Sequence, residues 1–183
     1  MSILDDNNSF VGGLTDEDLN ILLRYMRKEN SKLVLEVGTL FGITANRISE
    51  LGVDVITADN FAWNPFGLTR RQHIKFTQRI LRTDVRLVVL DISLSLDEQC
   101  KALEEELRLV KVDTVFIDAD HTYDSVLRDI KMAHRLGASN IVVHDYDKET
   151  HIEVVTACNY FYETHKADYY SESEGNFFFL TRH

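Results

Sequence analysis

Five short apolar runs, each followed by a stretch of helical period, constrain this chain more than any other feature. The runs are Leu33–Val37, Val53–Ala58, Val85–Leu90, Val112–Asp118 and Asn140–His144. Runs of this length, rich in β-branched residues, read as buried strands. Between them, Thr44–Leu51, Leu68–Arg82, Asp97–Val110, Thr122–Leu136 and His151–Thr164 carry apolar residues at helical spacing. Cys100, Leu103, Leu107 and Val110 form one such stripe, and Val126, Ile130 and Ala133 another. An earlier helix starts at Thr15, with Glu17 and Asp18 in its first turn, and frays near Asn30. Asp168–Ser171 and Asn176–Thr181 read as a closing antiparallel hairpin around the turn Glu172-Ser173-Glu174-Gly175. Phe177 and Phe179 face one way, Phe178 and Leu180 the other, so helices must cover both sides of that strand. Strand–helix alternation of this kind predicts a three-layer α/β sandwich around a mostly parallel sheet, with right-handed crossovers.

A chain of 183 residues, 44% of them hydrophobic, is long enough for one domain with its own core. Residues 1–30 read as an N-terminal arm and helix, and 31–183 as the domain proper. Cys100 and Cys158 are the only cysteines and have no metal-ligand spacing, which excludes a disulfide scaffold or a zinc finger. A net charge of −10 disfavours general nucleic-acid binding. The first residues lack a basic and an apolar region, and no apolar run reaches the ~20 residues of a bilayer span. A cytoplasmic location and no membrane partner are expected.

Ligands of such sheets bind beyond the carboxyl ends of the strands. The first strand ends in Glu36-Val37-Gly38-Thr39-Leu40-Phe41-Gly42, where Gly38 permits a sharp turn and Gly42 a close approach of the next helix to a ligand. The spacing is neither that of dinucleotide-binding loops nor that of phosphate loops. The second strand ends in Asp59-Asn60, where a carboxylate can accept from a ribose diol. The third ends in Asp91-Ile92, with Asp91 either touching an adenine or closing an Asx turn. The fourth ends in Asp118-Ala119-Asp120-His121 and the fifth in His144-Asp145. Asp118 and Asp145 could converge on a hard cation such as Mg²⁺. His121 either acts as a base near neutral pH or merely bonds to Asp118. His144, inside an apolar run, reads as a core histidine; His73, His134, His151, His165 and His183 read as surface or helix residues.

The Glu36-x-Gly38-x-x-x-Gly42 segment, Asp59, Asp91 and the terminal hairpin together resemble class I S-adenosylmethionine-dependent methyltransferases. The likeness extends over residues 31 to 181. It implies a Rossmann-like sandwich whose seven-stranded sheet is mostly parallel with an antiparallel last strand. Phe116–Tyr123 and Val143–Tyr146 look most like the branch related to macrolide-sugar O-methyltransferases and cephalosporin-hydroxylase-like proteins. That resemblance implies S-adenosylmethionine as cofactor, held by Glu36, Gly38, Thr39, Gly42, Asp59, Asn60, Asp91 and Ile92. It implies His121 and Asp118 as catalytic residues, Asp118 and Asp145 as Mg²⁺ ligands, and a small-molecule hydroxyl as acceptor. The metal-dependent members often carry a second acid where this chain has His144.

Arg71, Lys75, Arg79 and Arg82 share one helix face, which either is solvated or attracts an acidic substrate. Trp63 and Phe66 either wall a substrate pocket or pack on the core. Eight aromatics between Tyr160 and Phe179 fit core packing, with a homodimer interface as the alternative. A non-catalytic module that binds the same nucleoside, or a nicotinamide enzyme with a divergent glycine loop, are the competing functions.

Overall fold

A computed structural model describes residues 13–64 and 66–183. Most of the amino-terminal arm, and Pro65, lie outside the described residues. The elements alternate as α1 (Asp16–Lys28), β1 (Leu33–Val37), α2 (Ile43–Ser49), β2 (Asp54–Asp59), α3 (Arg70–Ile80), β3 (Val85–Val89) and α4 (Leu96–Leu107). They continue as β4 (Thr114–Ile117), α5 (Tyr123–Arg135), β5 (Asn140–Val143), α6 (Ile152–His165), β6 (Tyr169–Glu174) and β7 (Phe177–Arg182).

The seven strands run in the order β3-β2-β1-β4-β5-β7-β6. All neighbours among β1–β5 pair parallel, whereas β7 is antiparallel to both β5 and β6. The order reverses between β1 and β4. β1 leads outward to β2 and β3, and the chain then returns to β4 on the other side, so the carboxyl ends of β1 and β4 open a crevice between diverging connections.

Side-chain alternation sorts the core into two layers. Val34, Val55, Phe116, Val142, Phe177 and Phe179 pack under α1 and α2; their strand neighbours Leu35, Ile56, Val115, Ile141, Phe178 and Leu180 pack under α4, α5 and α6. Thr15 caps α1, its side chain accepting from the amide of Asp18, and both Thr69 of α3 and Ser95 of α4 form capping boxes. Arg24 pairs with Glu174 and Lys28 with Glu172, tying α1 to the exposed edge strand β6.

The hairpin turn lies later than the sequence suggests. Glu172, Ser173 and Glu174 belong to β6, and the chain turns at Gly175-Asn176. β6 is an edge strand whose outer residues face solvent, so its polar stretch reads locally as a turn. Of the carboxy-terminal aromatics, Phe161, Tyr169, Phe177, Phe178 and Phe179 are buried, and Tyr160 and Tyr170 are exposed. Both cysteines are free and buried.

One polar thread crosses the apolar layers. The Tyr25 hydroxyl lies 2.7 Å from Thr181 Oγ1 and donates to Asn140 Oδ1 at 3.3 Å, and Asn140 Nδ2 donates to Thr114 Oγ1 at 3.4 Å. Tyr25→Phe keeps the ring and strands these partners. Equilibrium denaturation is expected to show a loss of about 1–3 kcal/mol.

Candidate functional site

The loop after β1 is built around Gly38. Its φ is +101°, and a Cβ there would sit 2.0 Å from the carbonyl oxygen of Asp118, so no side chain fits between the ends of β1 and β4. Gly42 has a different task from the expected one. A Cβ on it would lie 2.4 Å from Leu81 Cδ2, so its bareness admits the end of α3 rather than a ligand. Asp59, at the end of β2, fastens the loop. Its Oδ2 accepts from the amides of Thr39 at 2.9 Å and Leu40 at 3.0 Å, and Oδ1 from that of Phe61 at 2.6 Å. Three of roughly four lone-pair positions are thus spent on backbone.

Two hollows flank Gly38. One is lined by Val37, Ala58, Asp59, Asn60, Asp120 and Asp129, among others, and the second by Thr39, Leu40, Phe41, Thr44 and Asp118. Asn60 lines the first while its side chain accepts from the Ala62 amide and donates to Gln99. Arg128 reaches the same hollow but is engaged with Asp97 at 3.0 Å. Asp129 is buried, and burial pushes its carboxyl up to about 7.

Glu36 lines neither hollow. It is 1% exposed and accepts from the Thr57 hydroxyl, which in turn lies 2.6 Å from Thr39 Oγ1. Burial raises its carboxyl to about 8, against the lowering effect of Thr57. Asp91 closes an Asx turn, accepting from the amide and hydroxyl of Ser93, and is exposed with Ile92; Leu90 and Leu96 line the hollow in their place.

The ends of β4 and β5 meet in a second cluster. Asp118 and Asp145 do converge, but the His144 imidazole lies between them. Its Nδ1 is 3.3 Å from Asp118 Oδ1 and 3.4 Å from Asp145 Oδ2, and its Nε2 is 3.7 Å from Asp18 Oδ2 of α1. Burial opposes the charge on His144, yet the two bonded carboxylates outweigh it and lift the ring to about 10. This histidine is therefore the paired cation of the site rather than a neutral core residue. Asp145 has φ +56°, a conformation costing about 1–3 kcal/mol that persists only where its surroundings impose it. Burial would raise its carboxyl, but His121 and His144 hold it well below the usual range.

His121 bonds to Asp145, not to Asp118: Nε2 stands 2.8 Å from Asp145 Oδ2. That bond, opposed by partial burial and aided by the charges of Asp145, Asp118 and Asp120, raises its pKa. No hydrogen bond to Nδ1 is formed among the described residues. Asp120 caps the turn instead, accepting from Thr122 and Ser125. His151, at the start of α6, stands beside His121 with ring centroids 4.7 Å apart.

Several of these residues escaped sequence reasoning. Asp18 and His151 come from helices distant in sequence, and nothing local marks them. His73 is 1% exposed under Phe41, Phe61 and Phe66, not at the surface; neither ring nitrogen has a partner among the described residues, and burial lowers its pKa. His134 is half-buried against Tyr169, 3.0 Å away. The basic face of α3 is exposed at Arg71, Lys75 and Arg79, but the helix ends at Ile80, so Arg82 lies beyond that face and pairs with Asp84. Trp63 is 59% exposed, whereas Phe66 packs on Phe41.

Comparison with known proteins narrows the reading. A family model described as a methyltransferase domain matches residues 35–146. The O-methyltransferase TomG from Streptomyces achromogenes, solved with SAM, superposes with a TM-score of 0.66 at 17% identity, covering 93% of this chain and 81% of that one. An O-methyltransferase from Bacillus cereus in complex with SAH gives 0.61 at 17% identity, with 93% and 83% covered. The SAH-bound methyltransferase PaMTH1 of Podospora anserina gives 0.65 at 13% identity, with 94% and 81% covered. At these identities the likeness establishes the fold. No curated protein matches the sequence. No helix among the described residues is long and apolar enough to cross a membrane.

Proposed function

This chain belongs to the methyltransferase-domain family, and we propose that it methylates a hydroxyl of a small molecule with S-adenosylmethionine as donor. The observation that carries the choice of cofactor is the charge of the crevice. Asp59 and Asp120 line one hollow and Asp118 the other, and the one arginine present is already paired. Such a lining repels a pyrophosphate and suits a ligand bearing a sulfonium and an ammonium. An apolar floor of Val37, Ala58 and Leu103 suits a flat base. The same lining disfavours a nicotinamide dinucleotide.

The backbone at Gly38 and Thr39, with Asn60 and the remaining lone pair of Asp59, would hold the nucleoside. Glu36, behind the loop, would act on the ligand's ammonium through Thr57 and Thr39. When bound, S-adenosylmethionine supplies a methyl carbon made electrophilic by a positively charged sulfur. The chain's task is alignment and proton transfer. Asp145 fixes the proton of His121 on Nε2, which leaves the Nδ1 lone pair to take the acceptor's hydroxyl proton. Asp118 and His144 set the field around that ring and hold Asp145 in place.

Magnesium does not fit this arrangement. The space between Asp118 and Asp145 is bridged by the His144 ring, whose positive charge stands where a cation would and offsets one of the two carboxylates. No step therefore runs through a hard cation. Methyl transfer is expected not to be lost on EDTA treatment and to gain nothing from added Mg²⁺. The function itself is tested with radiolabelled S-adenosylmethionine and a panel of hydroxylated small molecules, including acidic ones that the basic face of α3 would attract. Label in an ether-stable product supports the proposal; label recovered only in amines or thiols contradicts it.

A further inference from the structure

We infer that His121, His151 and Asp145 form a binding site for a late first-row divalent cation of the zinc class, and that the bound ion switches methyl transfer off. The second half rests on His121 being the base; the first half does not. The donors come from three separate points: the turn before α5, the first residue ahead of α6, and the second residue after β5. One ligand atom from each lies within 4.8 Å of the other two. His121 Nε2 is 2.8 Å from Asp145 Oδ2, and His151 Nδ1 is 4.0 Å from Asp145 Oδ1.

Two imidazoles and one carboxylate are the donor set of borderline cations, whereas Mg²⁺ takes oxygen. The site is therefore chemically distinct from the pair Asp118 and Asp145, although it shares one of them. Its members are accessible: the side chains of His121, His151 and Asp145 are 46%, 32% and 20% exposed. Rotation of the two rings can close the donors to the ~2.0–2.2 Å of a zinc shell and still leave a position for water.

The surrounding bonds hold the donors ready. The His151 amide donates to the Asp147 carbonyl at 2.9 Å. The Asp147 carboxylate accepts from the Glu149 amide and the Thr150 hydroxyl, which fixes the loop that delivers His151. His144 holds the inner side of Asp145, the kind of partner that orients a ligating carboxylate. An ion on Nε2 of His121 would displace the proton now shared with Asp145. That proton moves to Nδ1, the tautomer of a neutral imidazole ligated through Nε2, leaving no lone pair for the acceptor hydroxyl.

The test uses the metal-stripped chain, titrated with CoCl₂ by visible absorption and with ZnCl₂ by calorimetry, with MgCl₂ as competitor. One ion per chain is expected, and Mg²⁺ should not displace it. The His151 ring does not cap α6, and its one hydrogen bond among the described residues is local, Nδ1 lying 2.9 Å from the hydroxyl of the neighbouring Thr150, so His151→Ala should fold normally. That variant is expected to weaken zinc binding at least ~100-fold, the upper end of what loss of an outer partner alone does. It should keep the basal methyl-transfer rate and lose inhibition by zinc, while the wild-type rate falls in step with occupancy. Absence of cobalt and zinc binding, or binding unchanged by His151→Ala, overturns the site. Binding that depends on His151 in a chain whose zinc-saturated form still turns over at full rate upholds the site and overturns His121 as the base.

Discussion

His121→Ala is expected to lower methyl transfer about 10²–10⁴-fold, the usual worth of a positioned base. The side chain is about half exposed and makes one bond, to Asp145, so thermal unfolding should hardly change. The pH profile gives a second readout of the same assignment. The Asp145 bond, opposed by partial burial and aided by the nearby Asp118 and Asp120 charges, raises the His121 pKa. A base works only when deprotonated, so the rate should fall as pH drops through this raised value, with a midpoint above the ordinary ~6.5 of imidazole. Asp145→Asn removes the principal cause of the shift and should move that midpoint to lower pH. EDTA in the buffer keeps stray cations off the ring during both measurements.

Gly38→Ala is expected to act on fold and binding together. Its Cβ would overlap the Asp118 carbonyl at 2.0 Å, and both partners are backbone at the ends of adjoining strands. Neither can swing aside as a side chain would. Overpacking of this kind, added to a φ of +101°, should cost about 3 kcal/mol or more. The strain falls on the loop whose Thr39 and Leu40 amides are held by Asp59, so nucleoside affinity should be lost even where the variant remains folded. Denaturation midpoints and ligand titration on the same sample separate the two effects.

The centre of the sheet was legible because β1, β4 and β5 are buried on both faces. Apolar runs such as Val115-Phe116-Ile117 have few alternatives in a chain of this charge. The antiparallel closing strand was legible from Phe177–Leu180, where both faces are apolar. The edge strand β6 was not fully so, since one neighbour and a solvated face leave it the polar composition of a turn. At the site, sequence order located the strand ends but not the contacts made there. Asp59 marks the right place, yet most of its bonding capacity serves the glycine loop. His144 looks like core when only its strand is considered; its role comes from Asp118, Asp145 and Asp18, which arrive from three other positions in the chain. His73 shows the same gap. A histidine in a basic helix suggests exposure until Phe41, Phe61 and Phe66 close over it from two loops.

The central claim is that the acidic crevice at Gly38 receives an adenosyl sulfonium and rejects a pyrophosphate. Calorimetric titration with S-adenosylhomocysteine and, separately, with NADH tests it most directly. Saturable binding of one S-adenosylhomocysteine per chain, abolished in Gly38→Ala and absent with NADH, is the expected result. Tight binding of NADH, or no heat with S-adenosylhomocysteine at millimolar concentration, would contradict it.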